Sequence, residues 1–525
     1  MRKAIVIGIL GLLSLGGIAY GAMSFWAGAV EDEAVDLVPG DAAVYANVFL
    51  NPSRNQKRAI RDLLAKFEEA PTPDEATDEL AKLIDEGLED VGLTFKEDID
   101  PWLGRQVAFF ASDFEAGSPT AAALIETEDE AATREVVDKL DDQGDVEPQA
   151  KSYEGVEYSF YAEDEQGDPF ASGFVEDFWV VGSEDGFKAV VDASIGESLA
   201  ENEQFVDTTG LLSDDHLALF YFDAERLVNE AVETGDVTEE DLRALKAFPG
   251  FTEQGPAAAS LYVQDDGAVF ELASSAPEDD SLLRVIDDSG LLNDLPRDSW
   301  FAFGVSGVGD LFSTMLESVA EGSAPEADLE FFEEQFASET GLDLRDDVLA
   351  WMEDAGVFVE GTTMFEIQGG VVIESGNPEK SSEVIEVLGD YIAAQGAPVT
   401  PAEVEGVEGF SVQQEGMPQP VYVLGGDRVV IAYGRDATER AISGTETLED
   451  SGAFQGAGDA LGDDFTPSFF LDMGAVIELV EGLGASQEAT YQQDVKPWVD
   501  PLSHVVYGTK LDGDIIVGKL VIGVE

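Results

Sequence analysis

Apolar residues follow three patterns along the chain. The first is one unbroken run: Ala4 to Val30 carries no charged side chain. As a helix these 27 residues would reach about 40 Å, enough to cross a hydrocarbon core of roughly 30 Å. Arg2 and Lys3 precede the run, and acidic residues begin at Glu31. That asymmetry predicts a cytoplasmic amino terminus with the remaining chain outside the membrane. Phe25 and Trp26 stand where an interfacial aromatic belt would lie. Two processing routes are open: an uncleaved signal anchor over 1–30, or a signal peptide cut near Ala29 at the small-residue site Ala27-Gly28-Ala29. The run exceeds the roughly 7–15 residues of a secretory core, so a single-pass anchor is expected.

The second pattern alternates with period two and predicts strands; the third repeats with helical spacing. Together they give one order of elements twice. A first strand is expected over 43–50 and again over 299–305. In the first half a helix over 56–67 sets Ile60, Leu63, Leu64 and Phe67 on one face, and a further helical stretch covers 80–88. Paired strands follow (106–112 and 121–126; 356–359 and 365–374), then a helix (128–140; 378–394). Two more strands come next (157–162 and 171–182; 409–413 and 419–432), then a short helix (185–193; 436–442). A strand at 217–222, or 468–471, leads through a helix to a last hairpin. That hairpin turns at Asp266-Gly267 and at Asp512-Gly513, where glycine tolerates positive φ. Gly322 to Asp328 reads as a flexible loop, and Ala276-Pro277-Glu278-Asp279-Asp280 begins the connection between halves.

The halves also match residue by residue. Trp102, which closes Gly92-Leu93-Thr94-Phe95-Lys96-Glu97-Asp98-Ile99-Asp100-Pro101-Trp102, recurs 249 positions on as Trp351 after Gly341-Leu342-Asp343-Leu344. Phe205 and Phe454 share that offset, as do Phe222-Asp223 and Leu471-Asp472. Val38-Pro39 pairs with Leu295-Pro296, and Asp266-Gly267 with Asp512-Gly513. Five collinear matches predict an internal repeat of two modules, 37–276 and 293–525. Strands joined mainly by hairpin signals predict an α+β fold, each module an antiparallel sheet with helices packed on one face.

Charge changes the picture next. The chain has 110 acidic and 27 basic residues, a net charge of −83. Phosphate-backbone binding over the whole surface is therefore excluded, and no nucleic acid partner is expected. With 44% apolar residues the body can still build a core. Such self-repulsion is screened only at high ionic strength, where the Debye length falls to about 3 Å near 1 M. The expectation is a protein of a salty habitat, its melting temperature climbing as potassium chloride rises from low to molar. A fall over that range would sink the idea. Calcium binding is the competing use of the acids, at Asp164-Glu165-Gln166-Gly167-Asp168 or Asp512-Gly513-Asp514, but neither has the spacing of a calcium loop.

Catalytic signatures are largely missing. The chain has no cysteine and two histidines, His216 and His504, at non-equivalent places in the two modules. No Gly-x-Ser-x-Gly or phosphate-loop pattern occurs, and Gly304-Val305-Ser306-Gly307-Val308-Gly309 lacks dinucleotide spacing. No catalytic, metal or cofactor residue is assigned, and no cofactor is expected. Trp102 and Trp351 are read as structural anchors of the repeat. Arg54, Lys57, Arg58 and Arg61 share one helix face at i, i+3, i+4 and i+7. They are candidates for contact with an anionic envelope polymer or lipid headgroups, against the plainer reading of a solvated face.

Short motifs carry a resemblance. Pro39-x-Asp41 before a strand, Asn51-Pro52, Gln56-Lys57, Phe95 to Trp102-Leu103-Gly104, Tyr153-x-Gly155-Val156 and Gly182-Ser183 together resemble the bacterial Domain of Unknown Function 3352 family. The resemblance implies an envelope location and supplies no activity or catalytic residue. The expected protein is thus a membrane-tethered, extracytoplasmic scaffold or binding protein without enzymatic activity. A carrier of a lipid or other apolar ligand is the alternative, and a carboxylate-based hydrolase ranks third.

Overall fold

The computed structural model describes residues 31–67, 81–82, 84–85, 88, 92–113, 119–143, 147–162, 169–234, 255–275, 290–322, 326–413 and 416–525. The apolar run over 4–30, the acidic stretch 164–168, the connection 276–280 and much of the helical stretch 80–88 lie outside them. Among the described residues no helix is long and apolar enough to cross a membrane. The described chain divides into two compact units, 31–234 with 255–275, and 290–525.

Both units are α+β and antiparallel throughout. The first holds β1 (Val44–Phe49), β2 (Leu103–Ser112), β3 (Thr120–Thr127), β4 (Gln149–Tyr153), β5 (Val156–Tyr161), β6 (Phe170–Val175), β7 (Phe178–Gly182), β8 (Ala218–Asp223), β9 (Pro256–Gln264) and β10 (Gly267–Ser275). Its helices are α1 (Arg54–Leu64), α2 (Glu130–Gln143), α3 (Glu184–Ile195), α4 (Glu203–Thr209) and α5 (Ala224–Thr234). Pairing gives the order β4-β5-β6-β7-β3-β2-β1-β8-β9-β10.

The second holds β11 (Ser299–Val305), β12 (Met352–Glu360), β13 (Gln368–Ser375), β14 (Val399–Val404), β15 (Val407–Val412), β16 (Val421–Leu424), β17 (Arg428–Tyr433), β18 (Thr466–Asp472), β19 (Leu502–Asp512) and β20 (Ile515–Val524). Its helices are α6 (Val308–Gly322), α7 (Glu326–Thr340), α8 (Pro378–Ala394), α9 (Arg435–Ser443), α10 (Gly452–Leu461), α11 (Met473–Gly482) and α12 (Lys496–Val499). The order is β14-β15-β16-β17-β13-β12-β11-β18-β19-β20.

Local chemistry accounts for the turns. β4–β5 and β14–β15 close over two residues, Glu154-Gly155 (φ 47° and 92°) and Glu405-Gly406 (φ 50° and 83°). Positive φ at both positions is what a tight hairpin matching strand twist requires, and glycine takes the second at no steric cost. α1 starts two residues earlier than its apolar spacing suggests, because the Ser53 hydroxyl caps the amides of Asn55 and Gln56. It stops at Leu64, and the buried positions are Gln56, Ala59 and Ile60. Gln56 is buried because its amide acts as a strand partner: it donates to the Val263 carbonyl and accepts from the Val263 amide.

Two expectations need correction. Helices cover both faces of the sheet, not one. In the first unit Val48, Val107 and Ile125 face Ile84, Leu88, Phe95, Trp102 and Val136. Tyr45 and Tyr221, on the opposite face, meet Phe205 of α4 at 6.0 and 5.2 Å. The central strands are apolar at both parities, so both faces demand cover. The stretch over 322–328 is not a loop in its described part: Gly322 ends α6 and Glu326 opens α7. Small and acidic residues there resemble a linker but suit helix ends equally.

Candidate functional site: an open apolar sheet face

The two faces of the second sheet differ in how far they are covered. On one, Ala302, Phe358, Phe470, Val506 and Val521 are each 0% exposed. α10 closes this side, its Phe454 meeting Phe470 edge to face at 5.3 Å. One residue along each strand the side chains turn over. Phe303 sits opposite Val357 and Phe469, Phe469 opposite Tyr507, and Tyr507 opposite Leu520. The next row runs Val359, Phe301, Leu471, Val505, Ile522. None of these apolar side chains is buried, and none of these positions carries a charge. Phe301 and Phe469 stack edge to face at 5.7 Å.

α11 packs against β19 and β11, the strands near and beside β18. Its sequence, Met-Gly-Ala-Val-Ile-Glu-Leu-Val-Glu-Gly, is mostly apolar, yet none of its residues is buried. Partly exposed apolar side chains on both the helix and the sheet rows leave apolar surface open to solvent here, unlike the sealed face. The Gly482 end of α11 reaches the β12–β13 turn, where a Cβ added to Gly482 would stand 3.9 Å from the Thr362 carbonyl. That turn presents Phe365, 85% exposed, and Met364. Nearby, Lys496 holds Glu481 at 2.6 Å and Asp500 at 2.8 Å. In the first sheet the matching row passes through Phe109, Ala46 and Phe220, and both phenylalanines are exposed.

The basic residues singled out in the sequence lie on α1. Arg54, Arg58 and Arg61 are exposed and Lys57 is half-buried. Burial holds the Lys57 ammonium below its usual range, and its Nζ donates to Asn51 Oδ1 at 2.6 Å. Arg61 pairs with exposed Asp62 at 2.9 Å, a contact of little energetic weight. Trp102 and Trp351 follow single π-helical turns, Phe95–Ile99 and Leu344–Leu349. They are 1% and 3% exposed, buried in apolar clusters away from solvent.

Chemistry of other kinds finds little support. His216 Nδ1 contacts the Ser213 carbonyl at 2.6 Å, and His504 lies beside Ser503. A groove of about 1120 Å³ between α8 and the β14–β15 hairpin is lined by Glu379, Glu383, Glu386, Asp390, Glu408 and Asp427. Among the described residues no three histidine or acidic side chains are disposed to hold a metal ion.

Comparison with known proteins identifies the lineage. A family model described as "Protein of unknown function (DUF3352)" matches residues 4–483. The chain belongs to that family. No curated protein matches this DUF3352 member. Among solved structures, crystal form I of TP0453 is 12% identical, covers 48% of this chain and 81% of its own, and has a TM-score of 0.22. Form III, also 12% identical, covers 46% and 78% with a TM-score of 0.22. Form IV, again 12% identical, covers 46% and 80% with a TM-score of 0.23.

The open face was not singled out from sequence. Its signal is present in Phe301-Ala302-Phe303-Gly304-Val305, where the large residues fall on one parity and the small ones on the other. Which parity lacks cover depends on where distant helices land.

Proposed function

We propose that this DUF3352 protein is a membrane-tethered, extracytoplasmic binding protein, not an enzyme, that holds an apolar chain on the open face of its second unit. The observation that carries the reading is the contrast between the two faces of one sheet: sealed around Phe470, unsealed around Phe469. An occupant of this face would have to be slender, to follow a row of half-exposed side chains beside α11, and uncharged along its length, because no charge partner lines the rows. A hydrocarbon chain satisfies both. The expected result is that Phe303→Ser with Phe469→Ser lowers affinity for the neutral dye N-phenyl-1-naphthylamine at least tenfold, with the circular dichroism spectrum unchanged. Equal dye binding by the variant would overturn the carrier reading and leave the scaffold reading in its place.

The tether itself rests on the uncharged run over 4–30 and the family's expected envelope location. The basic face of α1 fits the same setting, since Arg54, Arg58 and Arg61 stay exposed in a chain of net charge −83. Fractionation should recover the intact chain with envelopes, and Lys57→Glu with Arg58→Glu should weaken association of the salt-washed chain with isolated envelopes. Unchanged association would remove α1 as a contact.

We also read the two units as copies of one ancestor. Strand order supports this, as do the isolated bridges Pro39–Ser198 and Pro296–Thr447 and the π-helical turn before each tryptophan. Poor superposition of the two units in an experimental structure would count against it.

A further inference from the structure

The chain enters the first unit through residues 32–38, and polar contacts hold this segment to the sheet. The Asp32 carboxylate accepts from Tyr45 Oη at 2.7 and 2.9 Å, from Asn47 Nδ2 at 2.8 Å and from the Val35 amide at 3.1 Å. Gln106 Oε1 accepts from Asn47 Nδ2 at 3.0 Å and from the Ala34 amide at 3.4 Å. Arg105 joins Glu33 at 3.1 Å to buried Glu126 at 2.6 Å. Ala34, Val35, Leu37 and Val38 are all buried.

Tyr45, Asn47 and Gln106 are each 0% exposed, near the middle of the sheet. Polar side chains there carry a desolvation cost that apolar ones would avoid. The second unit lacks this fully buried set: of the matching positions only half-buried Asp354 is polar. When Val44–Phe222 is matched to Phe301–Leu471 by strand register, Tyr45 falls on Ala302, Asn47 on Gly304 and Gln106 on Asp354. There the space beside Gly356 is taken by the Leu295 side chain. The polar set therefore occurs only in the unit that follows the uncharged run, where only Glu31 separates Val30 from Asp32.

From this we propose that Asp32, Tyr45, Asn47 and Gln106 form a clasp that fixes residues 32–38 directly onto β1 and β2, so that no slack hinge is left between Asp32 and the sheet of the first unit. The functional consequence rests on the tether reading above; the clasp on residues 32–38 does not. Hydrogen bonds to a charged group are the stronger kind, and a segment held by several should open rarely on its own.

The test is hydrogen exchange on the full chain in zwitterionic detergent. The amides of 34–38 should be protected, and Asp32→Ala should speed their exchange roughly tenfold to a hundredfold while β1 and β2 keep theirs. Tyr45→Phe, which removes only the hydroxyl, should give a smaller rise in the same amides and serves if Asp32→Ala loses strand protection. The chain lacks cysteine, so spin labels at Asp36→Cys and Gln149→Cys report their separation cleanly. A narrow distance distribution should broaden when Tyr45→Phe or Asp32→Ala is added. Unprotected amides at 34–38 in the parent chain, or protection and distance unchanged in both variants, would overturn the clasp. Recovery of the chain from cytosol with the clasp intact would instead remove only its link to a membrane.

Discussion

Replacing Trp102 with alanine should cost the first unit about 3–5 kcal/mol, the range for emptying a fully buried aromatic site. The ring stands edge to face against Trp179 at 5.8 Å and packs in one cluster with Ile84, Leu88, Phe95, Ile99 and Val136. Its Nε1 donates to the Asp98 carbonyl, and its backbone carbonyl receives the Glu128 amide at 2.8 Å. The side chain thus joins the π-helical turn, α2 and the sheet. Calorimetry should show one transition lowered by roughly 6–20 °C, at about 2–4 °C per kcal/mol for a unit of this size, with the transition of the other unit unmoved. Trp351 is the internal control. It too is buried, but among the described residues its Nε1 has no hydrogen-bond partner. Trp351→Phe deletes an unsatisfied donor and should be far milder than Trp102→Phe, which deletes a satisfied one. Equal losses would mean that both rings act through shape alone.

The second large effect is expected at Arg440. Its guanidinium grips Glu360 through Nη2–Oε2 at 2.6 Å and Nε–Oε1 at 3.0 Å, tying α9 to the end of β12. The Glu360 side chain is only 3% exposed, that of Arg440 34%. Burial pushes the Glu360 carboxyl above its usual range even with Arg440 beside it. Removing the arginine strands a buried carboxylate, a loss of about 3–5 kcal/mol for wholly buried pairs, and about 3 kcal/mol here because Arg440 is partly solvated. The pH dependence follows from the direction of the shift. A carboxyl whose folded pKa lies above its unfolded one makes the native state bind more protons, so stability falls as pH rises through that interval. Arg440→Met should therefore be most destabilised at neutral pH and recover part of its loss in acid. Arg440→Met with Glu360→Gln should be more stable than Arg440→Met alone at pH 7; no rescue would show that the pair matters by shape, not charge.

Much of this architecture could be read from the chain. The Asp512-Gly513 hairpin, with Gly513 at φ 62°, the alternating strands and the recurrence of Trp102 at Trp351 follow from local rules: glycine at positive φ, period two, repeated spacing. The matching hairpin of the first unit turns one residue earlier than expected, because Gly267 already pairs with Gln264 as the first residue of β10. What escaped reading depends on distant partners. The early start of α1 hangs on Ser53, and the burial of Gln56 on a backbone 207 positions away. Phe303 and Ala302 are both apolar neighbours on β11; that one is sealed and the other is not depends on where α10 and α11 come to rest. Nor does an aspartate just after an apolar run look different from any other acid in so acidic a chain, until Tyr45, Asn47 and Gln106 are found around it.

The outermost strands have a consequence of their own. β4 and β14 stand last in their orders, the positions at which a sheet can recruit foreign strands. β14 carries Pro401, which has no amide hydrogen to offer, and β4 carries Lys151, whose ammonium is drawn to Glu184 at 3.0 Å and rests over the Phe160 ring. Such features blunt a border against templated growth. A protein crowded with its own kind can thereby stay in separate copies instead of growing into fibres.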